Sequence, residues 1–313
     1  MVANRRNNKL IVILGPTSSG KTGLSIKLAK KFDGEVVSAD SRQVYKGMDI
    51  GSGKVTKKEM QGIPHHLLDV ANPKTRFSIA QYQKLALSVI KKIQNKNKIP
   101  FLVGGTGFYI QSIVDGIVIP EVKPDWKLRE KLGKKPLSEL FRRLQELDPI
   151  RAGGIDQNNP RRVIRALEVA IKLKGPVPSS SSKKPDFDAL LLGVKKTPEE
   201  LKNLIYKRLI KRLENNAIIN EVKKLHKSLS WKRLKEFGLE YRFVAQYLSR
   251  LQSNRGSSTK SGQNKITYQE MIDNIQKESE HLVKKQMTWF KRDKRIRWIK
   301  NQKEAERLIK NFL

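Results

Sequence analysis

The chain has 313 residues, enough for one large domain or two of ordinary size with an ample core. Lys and Arg number 65 against 30 Asp and Glu, a formal charge of +35 that exceeds what solubility requires and points to a polyanionic partner such as nucleic acid. Cysteine is absent, which excludes disulfides, thiolate zinc sites and iron–sulfur clusters, and no apolar run approaches the roughly 18 residues of a membrane span, so a cytoplasmic location is expected. Met1–Lys9 is basic, but too short and too directly joined to the first strand to read as a signal peptide.

Leu10–Leu14 is an apolar run that reads as a buried strand. Gly15, Pro16, Thr17, Ser18, Ser19, Gly20, Lys21 and Thr22 follow, and a helix is predicted from about Lys21 to Lys31 with Leu24 and Leu28 among its apolar positions. Strand, glycine-rich loop, Lys-Thr and helix is the P-loop arrangement. The glycines let backbone N–H groups turn inward around a polyphosphate, and the helix N-terminus favours the anion. Lys21 adds a point charge and Thr22 offers a hydroxyl to Mg²⁺. Phosphate binding follows from this stretch; what is done to the phosphates does not.

Glu35–Asp40 reads as a short strand ending on an acid, and Ser78 to about Gln94 as a helix with Ile79, Tyr82, Leu85, Val89 and Ile93 on one side. Phe101-Leu102-Val103 is a third buried strand, closed by Gly104-Gly105-Thr106-Gly107. This alternation predicts an α/β fold, a P-loop NTPase-like parallel sheet flanked by helices. Residues 121–186 carry no strong strand signal and read as an all-helical insertion domain, ending in a Pro- and Ser-rich stretch expected to be a mobile connector. The sheet resumes at Ala189–Val194, so the catalytic core is assigned to 1–120 and 187–313. Thr197-Pro198-Glu199-Glu200 and Thr267 with Glu270 are helix starts, and helices dominate to residue 313. Asn254–Asn264 reads as a disordered polar loop.

Asp40 ends the second strand at the carboxyl edge of the sheet, where ligands of open α/β folds bind, and the P-loop sits on the same edge. An acid there holds a metal, acts as a base aimed at an acceptor, or caps a turn. Ser41, Arg42 and Gln43 extend this hydrogen-bonding run, and Thr106 is expected to face the same crevice. At Asn159-Pro160-Arg161-Arg162-Val163-Ile164-Arg165 a helix opens with cations where its dipole disfavours them, a conflict resolved if an anion sits there. Arg208 and Arg212 could reach a polyphosphate from a later helix. His65-His66 lack a ligand partner and read as loop residues, while Trp289-Phe290 precede a basic run that could follow a phosphate backbone.

Together these stretches resemble the tRNA dimethylallyltransferase (tRNA isopentenyltransferase) family. The matching runs are the P-loop, Ser38 to Gly51, Pro64 to Asp69, Phe77-Ser78, Gly104 to Tyr109, Asn159 to Glu168 and Gln286 to Phe290. The resemblance implies transfer of a dimethylallyl group from dimethylallyl diphosphate to N6 of the adenosine immediately 3′ of the anticodon, with Mg²⁺ as cofactor and the tRNA anticodon stem-loop as partner. It implies Asp40 as general base, and Thr17, Lys21, Thr22 with Mg²⁺, and Arg212 around the diphosphate. Ser41, Arg42, Gln43 and Thr106 would hold the target nucleotide. Arg161, Arg162, Val163, Ile164 and Arg165 would contact the anticodon arm. The run Phe237-Gly238-Leu239-Glu240-Tyr241 departs from the bacterial pattern, as does Ala217-Ile218, and both bear on RNA docking more than on the reaction. An adenylate isopentenyltransferase, an ATP-dependent P-loop kinase and a non-catalytic RNA-binding protein are the competing readings. The charge, the insertion and the Arg161–Arg165 helix weigh against the first, the basic excess against the second, and Asp40 beside a phosphate loop against the third. A monomer is the expected state.

Overall fold

The computed structural model describes residues 8–120, 122–177, 187–255 and 267–313; the expected connector and polar loop lie largely outside them. The chain divides into two compact units, Met1–Val114 with Pro185–Leu313, and Asp115–Lys184. The first unit opens with β1 (Lys9–Leu14), α1 (Lys21–Lys31), β2 (Gly34–Ser38), α2 (Lys57–Met60), β3 (His65–His66), α3 (Ile79–Asn95), β4 (Ile99–Gly104) and α4 (Gly107–Val114). The second unit contains α5 (Trp126–Gly133), α6 (Leu137–Leu147), α7 (Pro149–Gly154) and α8 (Pro160–Leu173). The first unit then resumes with β5 (Asp188–Val194), α9 (Pro198–Leu213), α10 (Ala217–His226), α11 (Trp231–Glu236), α12 (Leu239–Arg255), α13 (Tyr268–Phe290), β6 (Arg297–Ile299) and α14 (Gln302–Phe312).

The six strands lie in the order β3-β2-β4-β1-β5-β6, and every pairing is parallel. Side chains of β1 alternate between two cores. Leu10, Val12 and Leu14 join Val37, Leu102 and Leu191 on one face; Ile11 and Ile13 join Val36, Phe101 and Leu192 on the other. A strand buried on both faces needs no polar alternation, which is why Leu10–Leu14 reads as an unbroken apolar run. Each such side chain contributes about 1.5–3 kcal/mol by leaving water.

Local signals set the helix starts. Ser78, Thr197 and Thr267 each close a capping box with Gln81, Glu200 and Glu270. The buried stripe of α3 is Tyr82, Ala86, Ile90 and Ile93, rotated from the predicted one, and Leu85 is left 39% exposed. Large apolar residues flank the stripe on both sides, so periodicity alone could not choose the face. Two strands went unpredicted. His65 and His66 pair with Val36 and Val37 instead of lying in a loop. The region after Val194 is not wholly helical, because Arg297–Ile299 pairs with Leu192–Val194 at the other edge. That strand is short and basic, a composition suited to an exposed edge and poor in strand signal.

The second unit packs Leu132, Leu140, Leu144, Val163, Ala166 and Leu167 together. Glu168 is fully buried beside them, and its carboxylate accepts from Arg129, Arg165 and the Asp125 N–H.

Candidate active site

β1 is a central strand, and its carboxyl end delivers residues 15–22. Gly20 takes the left-handed conformation (φ 87°) that starts α1. Ser18 is also left-handed (φ 62°), a costly state for a residue with a Cβ, and its Oγ is buried without a hydrogen-bond partner. Both features suit a loop shaped for an anion, which would satisfy the orphan hydroxyl. Lys21 Nζ donates to Pro16 O at 2.5 Å and to Ser19 Oγ at 3.4 Å. Burial, then the neighbouring Arg208 charge, pulls its pKa down to about 7, with Asp40 opposing. Thr22 is exposed on the first turn of α1; its carbonyl accepts from Ser25, and its hydroxyl has no protein partner among the described residues.

Arg208 reaches across from α9 and donates to Thr17 Oγ1 at 2.7 Å. Its pKa falls to about 10, first through burial and then through Arg212. Arg212, the arginine expected on the diphosphate, lies one turn further on. Its guanidinium pairs with buried Glu240 and donates to Gly51 O at 3.1 Å. The direct contact to the phosphate loop therefore comes from Arg208.

Asp40 stands two residues beyond β2. Its Oδ1 accepts from the Arg42 N–H at 2.8 Å and the Gln43 N–H at 3.3 Å, and Oδ2 accepts nothing among the described residues. The carboxylate is thus oriented on one oxygen and available on the other. Ser41 N–H donates to Thr106 Oγ1 at 3.1 Å, and Thr106 N–H to Ala39 O at 3.2 Å, so the loops after β2 and β4 are tied together. Only glycine fits at position 104, where a Cβ would lie 2.1 Å from Ala39 O.

Gln43 is committed on both sides, accepting from Ser38 Oγ at 3.3 Å and donating to Gly53 O at 3.1 Å. Residues 49–51 are held in turn by Glu221, which accepts their N–H groups at 2.8, 2.7 and 3.0 Å and the Tyr241 hydroxyl at 2.8 Å. The Arg42 guanidinium pairs with no carboxylate among the described residues and lies beside Gly238. The departures at Phe237–Tyr241 therefore adjoin the Asp40 loop as well as the later helices, closer to Asp40 than their place in the sequence implied.

In the second unit, Arg161 and Arg162 are exposed on the first turn of α8 and form no ion pair among the described residues. Val163 is fully buried, and Ile164 packs against the same core. Arg165 is bound to Glu168 and to Val122 O at 2.9 Å, so it braces the unit and is no free cation. Sequence reasoning gave no role to Glu221, Glu240 or Gln286: Glu221 and Gln286 act on loops more than 150 positions away, as in the contact of Gln286 with Thr17 (separation 269), and Glu240 pairs with Arg212 on another helix.

A parallel sheet with a glycine-rich Lys-Thr loop at the end of β1 and an oriented acid after β2 defines a P-loop α/β protein. Comparison with known proteins narrows this. A sequence profile described as IPP transferase matches residues 43–293, and the chain belongs to that family. A tRNA dimethylallyltransferase of Carboxydothermus hydrogenoformans is 38% identical, with 96% of this chain and 94% of the relative aligned. One from Caldanaerobacter subterraneus subsp. tengcongensis is 36% identical, over 97% of this chain and 96% of the relative. Among solved structures, the full-length tRNA isopentenylpyrophosphate transferase of Bacillus halodurans superposes with a TM-score of 0.69 at 32% identity, covering 97% of this chain and 96% of that one. A eukaryotic dimethylallyltransferase acting on tRNA gives a TM-score of 0.69 at 28% identity, over 90% of this chain and 69% of that one. The profile begins at Gln43, so family membership stands independently of the phosphate loop and Asp40.

Proposed function

We propose that this protein transfers the dimethylallyl group of dimethylallyl diphosphate to N6 of the adenosine immediately 3′ of a tRNA anticodon, releasing diphosphate. One observation carries the reading: Asp40 has one oxygen fixed by two backbone N–H groups and the other available, at the sheet edge that also carries the phosphate loop. The N6 lone pair attacks the allylic carbon next to oxygen, the C–O bond breaks, and its electron pair leaves on the diphosphate. Asp40 takes the proton that N6 gives up. Such a positioned base contributes about 10²–10⁴-fold.

The charge developing on the leaving group meets Lys21 and Arg208, with the loop N–H groups and the Ser18 hydroxyl as further donors. Mg²⁺ fits this setting, since that ion takes few protein ligands and binds largely through substrate phosphates. The unpartnered Thr22 hydroxyl is the group that would hold it, and the ion would neutralise diphosphate charge. Ser41, Arg42, Gln43 and Thr106 shape the acceptor side, with Arg42 the cation free to meet the nucleotide. The target base must leave its stack, which is inexpensive in a single-stranded loop. Arg161 and Arg162, exposed and without an ion pair among the described residues, are the members of their run suited to phosphates of the anticodon arm. Localisation and oligomeric state are read as cytoplasmic and monomeric; the described residues include no helix long and apolar enough to cross a membrane.

The test incubates the protein with Mg²⁺ and labelled dimethylallyl diphosphate, offering an anticodon stem-loop, AMP or ATP, alongside Asp40→Ala. Label in the stem-loop, absent from AMP and lost in the variant with substrate binding retained, is the expected result. Label in AMP alone would reassign the acceptor to a free nucleotide, and consumption of ATP without prenyl transfer would make the loop that of a kinase.

A further inference from the structure

Gln286 lies on the last turns of α13, and its carboxamide joins two loops that the sequence keeps far apart. Its Oε1 accepts the Thr17 N–H at 2.9 Å, and its Nε2 donates to Gly105 O at 2.9 Å. The amide orientation follows from its neighbours, because a backbone N–H demands the oxygen on one side and a backbone carbonyl the nitrogen on the other. The turn that carries it is anchored: Phe290 is buried, and Trp289 packs edge-on to Phe108 and sits where a Cβ on Gly107 would fall, 2.4 Å away.

Each bond ends on a working loop. Thr17 belongs to the phosphate loop and takes Arg208 on its hydroxyl. Gly105 precedes Thr106, whose hydroxyl accepts the Ser41 N–H next to Asp40. Three hydrogen bonds, joined by the Gly105–Thr106 peptide link, therefore connect the phosphate loop through one side chain to the loop that carries the acid. In-line displacement requires the leaving group and the attacking nitrogen to be aligned on opposite sides of one carbon, and misplacement by about 1 Å can cost roughly 100-fold.

We propose that Gln286 is a positioning residue that fixes the phosphate loop relative to the Asp40 loop, so that diphosphate and acceptor amine meet in line. This rests on the prenyl-transfer reading above. The residue acts through two backbone groups, the Thr17 N–H and the Gly105 carbonyl.

The test uses two variants that break the same link from opposite ends. Gln286→Met keeps the side-chain length and removes both hydrogen bonds. Gly105→Ala keeps residue 286 as Gln, but the new Cβ would stand 2.6 Å from Nε2 and push the carboxamide off the Gly105 carbonyl. The expected result is a fall in kcat of about 10- to 100-fold in each. KM for the diphosphate and for the stem-loop should each stay close to wild type, and the fall in kcat should persist at temperatures where each variant is fully folded. The double variant should fall no further than the worse single one, as two changes acting through one contact must. Additive losses, losses confined to KM, or a kcat that merely follows thermal stability would overturn the proposal. Wild-type protein and Asp40→Ala run in parallel keep the two questions apart. If the wild type transfers no prenyl group, the functional reading fails; if it does and the variants match it, only the role of Gln286 fails.

Discussion

Lys21 sits where burial and Arg208 both disfavour its positive charge, and this links ligand binding to proton uptake. Its pKa in the free protein is about 7. A bound diphosphate favours the ammonium and raises that value. Below pH 7 the lysine is already charged and binding should be nearly pH-independent, whereas above it affinity should decline as pH rises. Calorimetry at pH 8 in buffers of differing ionisation heat should show uptake of about one proton per diphosphate, and Lys21→Met should abolish it. Stability has the opposite slope. The depressed pKa means that the folded state binds fewer protons than the unfolded one between about 7 and 10.5, so the free protein should gain stability across that window relative to Lys21→Met. Lys21, Asp40 and Thr106 were legible because local rules place them, each following a strand at the same sheet edge. Which arginine reaches the loop was not. Arg208 and Arg212 are four apart on one helix, and only the tertiary positions of Thr17 and Glu240 separate their roles.

The contribution of α10 and α12 is to hold residues 49–53, which in turn hold Gln43. Arg212→Ala strands Glu240 as a buried unpaired acid, and a loss of about 3–5 kcal/mol is expected in urea denaturation. An arginine serving only the diphosphate would leave that midpoint unmoved. Glu221→Ala removes the acceptor for three backbone N–H groups and should cost about 2–4 kcal/mol, with weakened transfer following from the loosened loop. The sequence shows none of this, since a glutamate on a helix announces no distant loop as its partner. At α8 the signal was present and incompletely read. Arg161 and Arg162 are the exposed cations at an unfavourable helix end, but Arg165 has Glu168 three residues on, a spacing that brings side chains together. That pair already hinted at a structural arginine.

At the scale of the molecule, the formal charge of +35 makes RNA binding strongly dependent on salt. The logarithm of the association constant for an anticodon stem-loop should fall linearly with the logarithm of salt concentration. Replacing Arg161 and Arg162 together by alanine should reduce that slope by about 1–2 and weaken binding with little change in kcat on saturating RNA. An unchanged slope would place the contacts elsewhere. The parallel sheet was readable from its alternating apolar strands, while its two edge strands escaped because each is short and lies beyond the apolar runs.

The sheet order also has a consequence for synthesis. β1 is made first of the described strands, yet β6 beside β5 comes from residues 297–299, and Ala305 and Ile309 of α14 complete the core over Ile11 and Ile13. Gln286 and Arg208, which hold Thr17, also arrive late. Residues 115–184 are consecutive and carry their own core, so they can fold while the chain is still growing. The helical unit can therefore be complete while Thr17 still lacks the contacts that Gln286 and Arg208 make to it.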